Sequence, residues 1–304
     1  MIVYLRNILS LNERFAYNLI GKLRDLISPF FDNFLKLQEK RIKKKLAPNI
    51  TNLRRHLINI LPQVDTDDLI KEISNAEKKD IIFNANKILL NEFEILSTKV
   101  KFQKKIDWHL DFKSGYRWPK GKLYSKYNQV DKNNSADVKF PRELSRCHHF
   151  LYLGEAYLLT SDEKYTKEFI AQIRNWILEN PYKKSINWGC SMDIAIRASN
   201  WIYSLNMFAG SLLIDDVFFH EIMTSLYLHG RYIYENPEKN RVYNHNHYLS
   251  DLAGQILISI VFETTEIKET KSWKENGIYE FFREIRVQIL PTGLHMKEQR
   301  ITTD

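Results

Sequence analysis

The segment Tyr243-Asn244-His245-Asn246-His247-Tyr248-Leu249-Ser250-Asp251 carries amides, imidazoles and a carboxylate into the apolar run LAGQILISIVF. Such a run reads as a buried helix, and a helix start offers unpaired N–H groups and a partial positive charge. An Asn amide there adds donors that do not titrate, an arrangement suited to a carboxylate ligand. Asp251, one turn after His247, is placed to orient that imidazole. A plainer account also fits the residues, with Asn as a helix cap and His as a hydrogen-bonded core residue. His245 and His247 have the spacing of metal ligands on a strand, but no third ligand motif accompanies them. Neither a metal nor another cofactor is therefore expected.

A second constellation is Asn187-Trp188-Gly189-Cys190-Ser191-Met192-Asp193-Ile194-Ala195-Ile196-Arg197-Ala198-Ser199-Asn200-Trp201. It leads into a helix apolar almost all round, which should be buried. Asp193 and Arg197 interrupt it at i,i+4 spacing, where a carboxylate and a guanidinium share a face and can pair. The pair reads equally as a structural ion pair and as an Arg held beside a cavity that takes anions. Other chemistry is excluded by what is missing. His220-Glu221 lacks the second His of a zincin, and no Gly-rich phosphate loop or nucleophile-elbow Ser is present.

The elements that must position these residues are helical. The chain has 304 residues, with 44% hydrophobic residues and only ten Gly and eight Pro. Helical periodicity recurs over 142–160, 164–179, 190–209, 215–236, 247–264 and 274–290, joined by short linkers. Such hairpins build a bundle, a solenoid or a closed α/α barrel, and periodicity cannot separate the three. Residues 1–100 read as a charged helical N-terminal region, and 101–142 as a long ordered loop in which aromatics alternate with Gly, Pro and charges. The two cysteines, Cys147 and Cys190, are too few for a disulfide framework, and the first residues read as an amphipathic helix rather than a secretory leader. A cytoplasmic, reduced protein is the simpler expectation. A formal net charge of +8 favours an anionic partner, while the run Lys40-Arg41-Ile42-Lys43-Lys44-Lys45 is more often a solvated helix face.

Three blocks together resemble the N-terminal toroid of heparinase II/III proteins, which is alginate lyase-like. They are Asp107-Trp108-His109-Leu110-Asp111-Phe112-Lys113-Ser114-Gly115-Tyr116-Arg117-Trp118-Pro119; Val138 to Arg146 running through Leu153-Gly154-Glu155-Ala156-Tyr157 to Trp201; and Asn246-His247-Tyr248-Leu249 with Asp251-Leu252-Ala253-Gly254. The resemblance implies an all-α fold, an (α/α) toroid of antiparallel hairpins over 101–304, usually followed by a β-sandwich. It implies binding of a uronic-acid-containing polysaccharide and its cleavage by β-elimination. Asn246 would neutralise the uronate carboxylate, and His247 would assist binding or proton transfer. Trp108, His109, Tyr116, Trp118 and Trp188 would bind the sugar chain, with Arg146 and Arg197 contacting sulfate or carboxylate.

The family pattern departs near the end. Gly293, His295 and Glu298-Gln299 fit, but Arg300 stands where Ser is expected and Thr303 where the general acid–base Tyr is expected. The expectation is an incomplete toroid, cut short and without a β-sandwich, that binds acidic polysaccharide but turns it over negligibly. Many relatives are periplasmic, which competes with the cytoplasmic expectation. The rival reading is a non-catalytic glycan-binding or assembly module in a polysaccharide production pathway. A helical scaffold contacting nucleic acid or membrane is disfavoured by the aromatic loop at 107–118, so no nucleic acid partner is expected. No transmembrane segment is expected either, because no stretch approaches the roughly 18 uncharged apolar residues that spanning a bilayer requires.

Overall fold

A computed structural model describes residues 32–60, 70–127, 135–240 and 244–288. Tyr243, the expected N-terminal amphipathic helix and the tail from Gly293 to Thr303 lie outside the described residues. The chain divides into two units at Lys45/Leu46. In the first, residues 32–45 are helical, with an exposed i,i+4 pair between Lys43 and Glu39 at 3.3 Å. The second unit carries every element below, and the boundary expected near residue 100 falls inside it.

Nine helices described in this unit are α1 (Ile50–Ile60), α2 (Asn75–Leu89), α3 (Lys139–Ser145), α4 (His149–Thr160), α5 (Glu163–Glu179), α6 (Ser191–Met207), α7 (Asp216–Glu235), α8 (Asn246–Val261) and α9 (Lys268–Gln288). Their starts follow from local chemistry. Ser74 and Glu77 exchange a capping box at α2, Asp162 accepts from the Lys164 N–H at α5, and Asp215 accepts from the Phe218 N–H at α7. The expected helix over 142–160 is two helices, because the chain turns at Arg146-Cys147-His148 with Cys147 at φ 59°. Residues read as helical before 100 instead include a β-hairpin, β1 (Glu92–Ile95) and β2 (Thr98–Lys101), antiparallel with Phe93 opposite Val100. Its turn is Leu96-Ser97, both at positive φ (50° and 58°), which carries none of the Asn-Gly signal that marks such turns in a sequence.

The long helices pack in two rows. One row runs α2, α4, α6, α8 by successive contacts; α5, α7 and α9 form the second, each packed against its hairpin neighbour, and α1 lies on α7 and α8. This is the arrangement of an (α/α) toroid. Hairpin alternation makes α6 and α8 parallel, and they approach closely because Gly254 of α8 lies against Ala195 of α6. A Cβ on Gly254 would fall 2.6 Å from the Ala195 Cβ and 2.8 Å from its Cα. Gly230 of α7 likewise makes room for Trp273 and Ile258. The block Asp251-Leu252-Ala253-Gly254 is thus a packing motif as much as a chemical one.

Aromatic residues fill the space between the rows. Trp176, Trp201 and His229 meet with ring centroids 5.2–5.4 Å apart, and Trp188 closes on His229 at 4.8 Å. The loop at 107–118 is held in shape by Asp111, which is buried and accepts from the N–H groups of Lys113 and Ser114, from the Ser114 hydroxyl, and from the Asp137 N–H just before α3. Burial alone would raise the Asp111 pKa, but these hydrogen bonds outweigh it and hold it below the usual carboxylate value. Among the described residues, no helix is long and apolar enough to cross a membrane.

Two consequences are measurable. Gly254→Val should destabilise the second unit by about 1–3 kcal/mol through overpacking at the α6/α8 crossing, read as a lowered denaturation midpoint. Conversely, an unchanged midpoint would mean the helices are not in close contact there. The second concerns acid. His109 and His229 are fully buried and neutral; burial pulls His109 down to about 4 and His229 well below its ordinary value, the nearby Arg197 charge adding to the latter. Unfolded histidines take protons from about pH 6.5, so stability falls as pH drops from there through about 4, His109 alone accounting for up to about 3 kcal/mol. Thermal midpoints between pH 7 and 4 should fall steeply, and His109→Asn should flatten part of that fall.

Candidate functional site

The candidate site lies where the first turns of α6 and α8 meet the segment that follows α7. Cys190 is the N-cap residue of α6 but makes no side-chain capping hydrogen bond. The cap comes from Glu238 instead, whose Oε1 accepts from the Met192 N–H at 3.2 Å. The other carboxylate oxygen, Oε2, lies 2.6 Å from Nδ1 of His247 in the first turn of α8. Glu238 is itself pinned from behind, its N–H donating to Asp251 Oδ2 at 2.7 Å. One acidic residue therefore ties two helix starts together.

The groups respond to this crowding. Burial raises the Glu238 carboxyl, but hydrogen bonds from Cys190, His247 and the Met192 N–H outweigh it and keep the group below its ordinary pKa. Burial pushes the Cys190 thiol well above its ordinary value, with the Asp193 and Glu238 charges adding to the effect. Asp251, buried to 1% exposure, is pushed up to about 8 by burial and by the charges of Glu238 and Asp193, although the Glu238 N–H opposes the shift. Because Nδ1 of His247 faces a carboxylate, it carries the ring proton when the imidazole is neutral, and Nε2 is left as the acceptor. Asp251 was expected to orient His247; Glu238 does so, and Asp251 anchors Glu238.

Asn246, the first residue of α8, is exposed, and its amide makes no hydrogen bond to a described residue. His245, the N-cap residue, provides no side-chain cap either. The start of α8 thus presents backbone N–H groups and the Asn246 amide outward beside His247, which has 42% of its side chain exposed. Arg146, half-buried at the end of α3, pairs with Asp193 through Nε at 2.7 Å and with Glu143 through Nη1 at 2.7 Å. Asp193 in turn is close enough to shift Cys190 and Asp251, so Arg146 borders the same cluster.

The remaining expected ligand contacts are placed differently. Trp108, His109, Trp118, Trp188 and Arg197 are all at most 3% exposed. The Trp108 indole donates to Asn175 Oδ1 at 2.8 Å, the Trp188 indole donates to the Asn180 carbonyl at 3.0 Å, and His109 Nε2 lies 3.2 Å from the Glu179 carbonyl. Trp118 packs with Tyr127, Val138 and Ile186, and half-buried Tyr116 meets it edge-on at 5.0 Å. Trp108 and Trp118 fix the 107–118 loop to the core, and the buried rings of Trp108, Trp118 and Trp188 present no face to a ligand in this conformation. Arg197 does not pair with Asp193. Its Nε donates to His229 Nε2 at 2.9 Å, Nη1 reaches Ser145 Oγ and the Asn187 carbonyl, and the guanidinium sits 4.1 Å from the Trp176 ring centroid. Sequence reasoning missed Glu238 altogether, since nothing in Asn236-Pro237-Glu238 marks a residue that will reach two other helices.

The profile of the family described as Heparinase II/III N-terminus matches residues 33–300. The chain belongs to that family. Heparin-sulfate lyases are among its curated relatives: one from Bacteroides thetaiotaomicron is 21% identical over 258 residues, covering 81% of this chain and 31% of the relative. Another, from Pedobacter heparinus, is 22% identical over 160 residues, covering 51% of this chain and 23% of the relative. The fold is shared with the heparan sulfate lyase HepC from Pedobacter heparinus (TM-score 0.58, 18% identity, 84% of this chain and 38% of that one). It is also shared with a heparinase III (TM-score 0.59, 20% identity, 86% and 39%). The toroid-type fold is thereby established. The chain spans roughly a quarter to a third of the length of the curated relatives it matches.

Glu238 generates a prediction of its own. Glu238→Ala should cost about 1 kcal/mol or more, by removing the cap of α6 and the hydrogen bonds that hold His247. His247→Ala, at a more exposed position, should cost less. Denaturant midpoints of the two variants check the order, and the reverse order would mean Glu238 is not the cap.

Proposed function

We propose that this chain supplies the toroid side of a site that binds a uronic-acid-containing acidic polysaccharide and directs its cleavage by β-elimination. The observation that carries the reading is the pairing, at the uncapped start of α8, of an outward Asn246 amide with a His247 imidazole oriented by Glu238. A carboxylate placed against the α8 start would accept from the Asn246 amide and the backbone N–H groups. Its charge would be partly neutralised there, and the proton on the adjacent C5 carbon would become more acidic. His247 Nε2, an acceptor while Nδ1–H is held by Glu238, is suited to take that proton as general base. The C5–H electrons then form the C4–C5 double bond as the C4–O bond breaks, and the departing oxygen must receive a proton. At the position where the family pattern expects the acid–base Tyr this chain carries Thr303, in the tail outside the described residues. Binding is therefore the first readout.

Arg146 supports the reading as a cation bordering the cluster, although Asp193 and Glu143 already occupy much of its guanidinium. Calorimetric titration of the chain with uronate-containing oligosaccharides should show binding that weakens at high salt. Asn246→Ala should weaken it about 10- to 100-fold, the value of a hydrogen bond to a charged group. Any unsaturated uronate product formed by the wild-type chain should fall by about 10²–10³ in the same variant. Absence of binding at low salt, or equal binding by Asn246→Ala, would defeat the assignment.

A further inference from the structure

The cluster at the start of α6 and α8 contains a ligand set that the glycan reading does not use. We propose that Cys190, Glu238 and His247 form a binding site for a single thiophilic divalent cation of the zinc class. One ligand atom from each residue, the Cys190 thiol, a Glu238 carboxylate oxygen and a His247 ring nitrogen, lies within 4.8 Å of the other two. They come from three separate stretches of chain, so the juxtaposition is a product of the fold rather than of a local turn. The His-x-His spacing in the sequence pointed to His245 as the partner; the structure gives His247 a thiol and a carboxylate instead.

The chemistry of the donors selects the metal. Sulfur, nitrogen and oxygen in one small site suit zinc, whereas calcium and magnesium take all-oxygen sets. Three protein ligands leave a fourth position for water or another donor, the arrangement of an open rather than a closed zinc site. The site is also supported from outside. Glu238 is fixed by the Met192 N–H on Oε1 and by the donation of its own N–H to Asp251, so Oε2 is aimed at His247. Outer-shell contacts of this kind orient metal ligands.

The proton balance is defined. Binding requires the Cys190 thiolate, so that thiol releases its proton to solvent. His247 must offer Nδ1 as a lone pair, so its ring proton leaves Nδ1 and is regained at Nε2, leaving a net release of one proton per cation. Occupancy would thus change the outward Nε2 of His247 from acceptor to donor, the opposite of what a general base requires.

The test uses the 304-residue chain kept reduced and titrated with cobalt(II) as a spectroscopic probe. One equivalent should bind with a sulfur-to-cobalt charge-transfer band in the near ultraviolet, and zinc(II) should displace it. Loss of even an outer-shell partner commonly costs about 10- to 100-fold in metal affinity, so Cys190→Ser and His247→Gln should each lose at least about 100-fold, and Cys190→Ser should lose the band entirely. Asn246→Ala should bind cobalt as the wild type does whatever becomes of oligosaccharide binding, which separates this proposal from the glycan reading. A measurement on the wild type alone guards against misfolded variants: zinc(II) should slow alkylation of Cys190, mapped by peptide mass spectrometry, at least about tenfold, because the coordinated thiolate is no longer a free nucleophile. Absence of the charge-transfer band, its survival in Cys190→Ser, or an alkylation rate indifferent to zinc would each overturn the site.

Discussion

A buried guanidinium without a carboxylate partner organises this toroid. Moving an isolated cation out of water is expensive, and the cost must be offset by donors, acceptors and polarizable faces that fit it. Arg197 finds them on four elements at once: His229 of α7, Ser145 of α3, the Asn187 carbonyl in the turn before α6, and the ring of Trp176 on α5. Burial pulls its pKa to about 10, low for arginine yet high enough to leave the charge in place at neutral pH. The planar fork satisfies these partners in essentially one geometry. His229 answers with a defined tautomer, Nδ1–H donating to the Ser225 carbonyl at 2.7 Å while Nε2 accepts from Arg197.

Everything at the candidate site is set by that fixed point. Arg197 locks the first turns of α6 against α3 and α7, which holds Asp193, one turn earlier, where Arg146 can reach it. The Gly254/Ala195 crossing then brings α8 close and parallel, so both helix starts open at the same end. Glu238 is able to cap one and hold a histidine of the other only because of this alignment. The candidate site residues Asn246 and His247 thus lie at a helix start, and the rigidity that orients them comes from a charge they never touch.

The helices were legible because apolar periodicity and capping residues are local signals, and most predicted spans match the observed ones to within a few residues. The β-hairpin was not, since Leu96-Ser97 lacks the turn residues that announce a reversal. Asn246 and His247 were legible as a motif, and the structure places both in the first turn of α8, Asn246 exposed and His247 partly so. Trp108, His109, Trp118, Trp188 and Arg197 were read as ligand contacts because residue type cannot reveal burial; a tryptophan suited to stack on a sugar is equally suited to fill a core. The Asp193/Arg197 spacing placed both residues on one helix, but each found a better partner across an interface, which no i,i+4 rule can foresee. Glu238 was invisible for the same reason.

The presence of Asp193, Glu238 and Asp251 around a site proposed to take an anion is a tension that the protonation states resolve. Asp193 is matched by Arg146, so its charge is largely compensated at short range. Asp251, with its pKa near 8, holds a proton at neutral pH and contributes hydrogen-bonding rather than charge. Glu238 remains ionised, but its two oxygens face the Met192 N–H and His247, and the N–H dipoles at the start of α6 absorb part of its field. What faces outward from α8 is therefore the positive end of a helix and a neutral amide, set in front of an acidic group that is already occupied. The carboxylate count of the sequence overstates the negative charge an approaching polyanion would meet, and the net charge of +8 on the chain works in its favour at longer range.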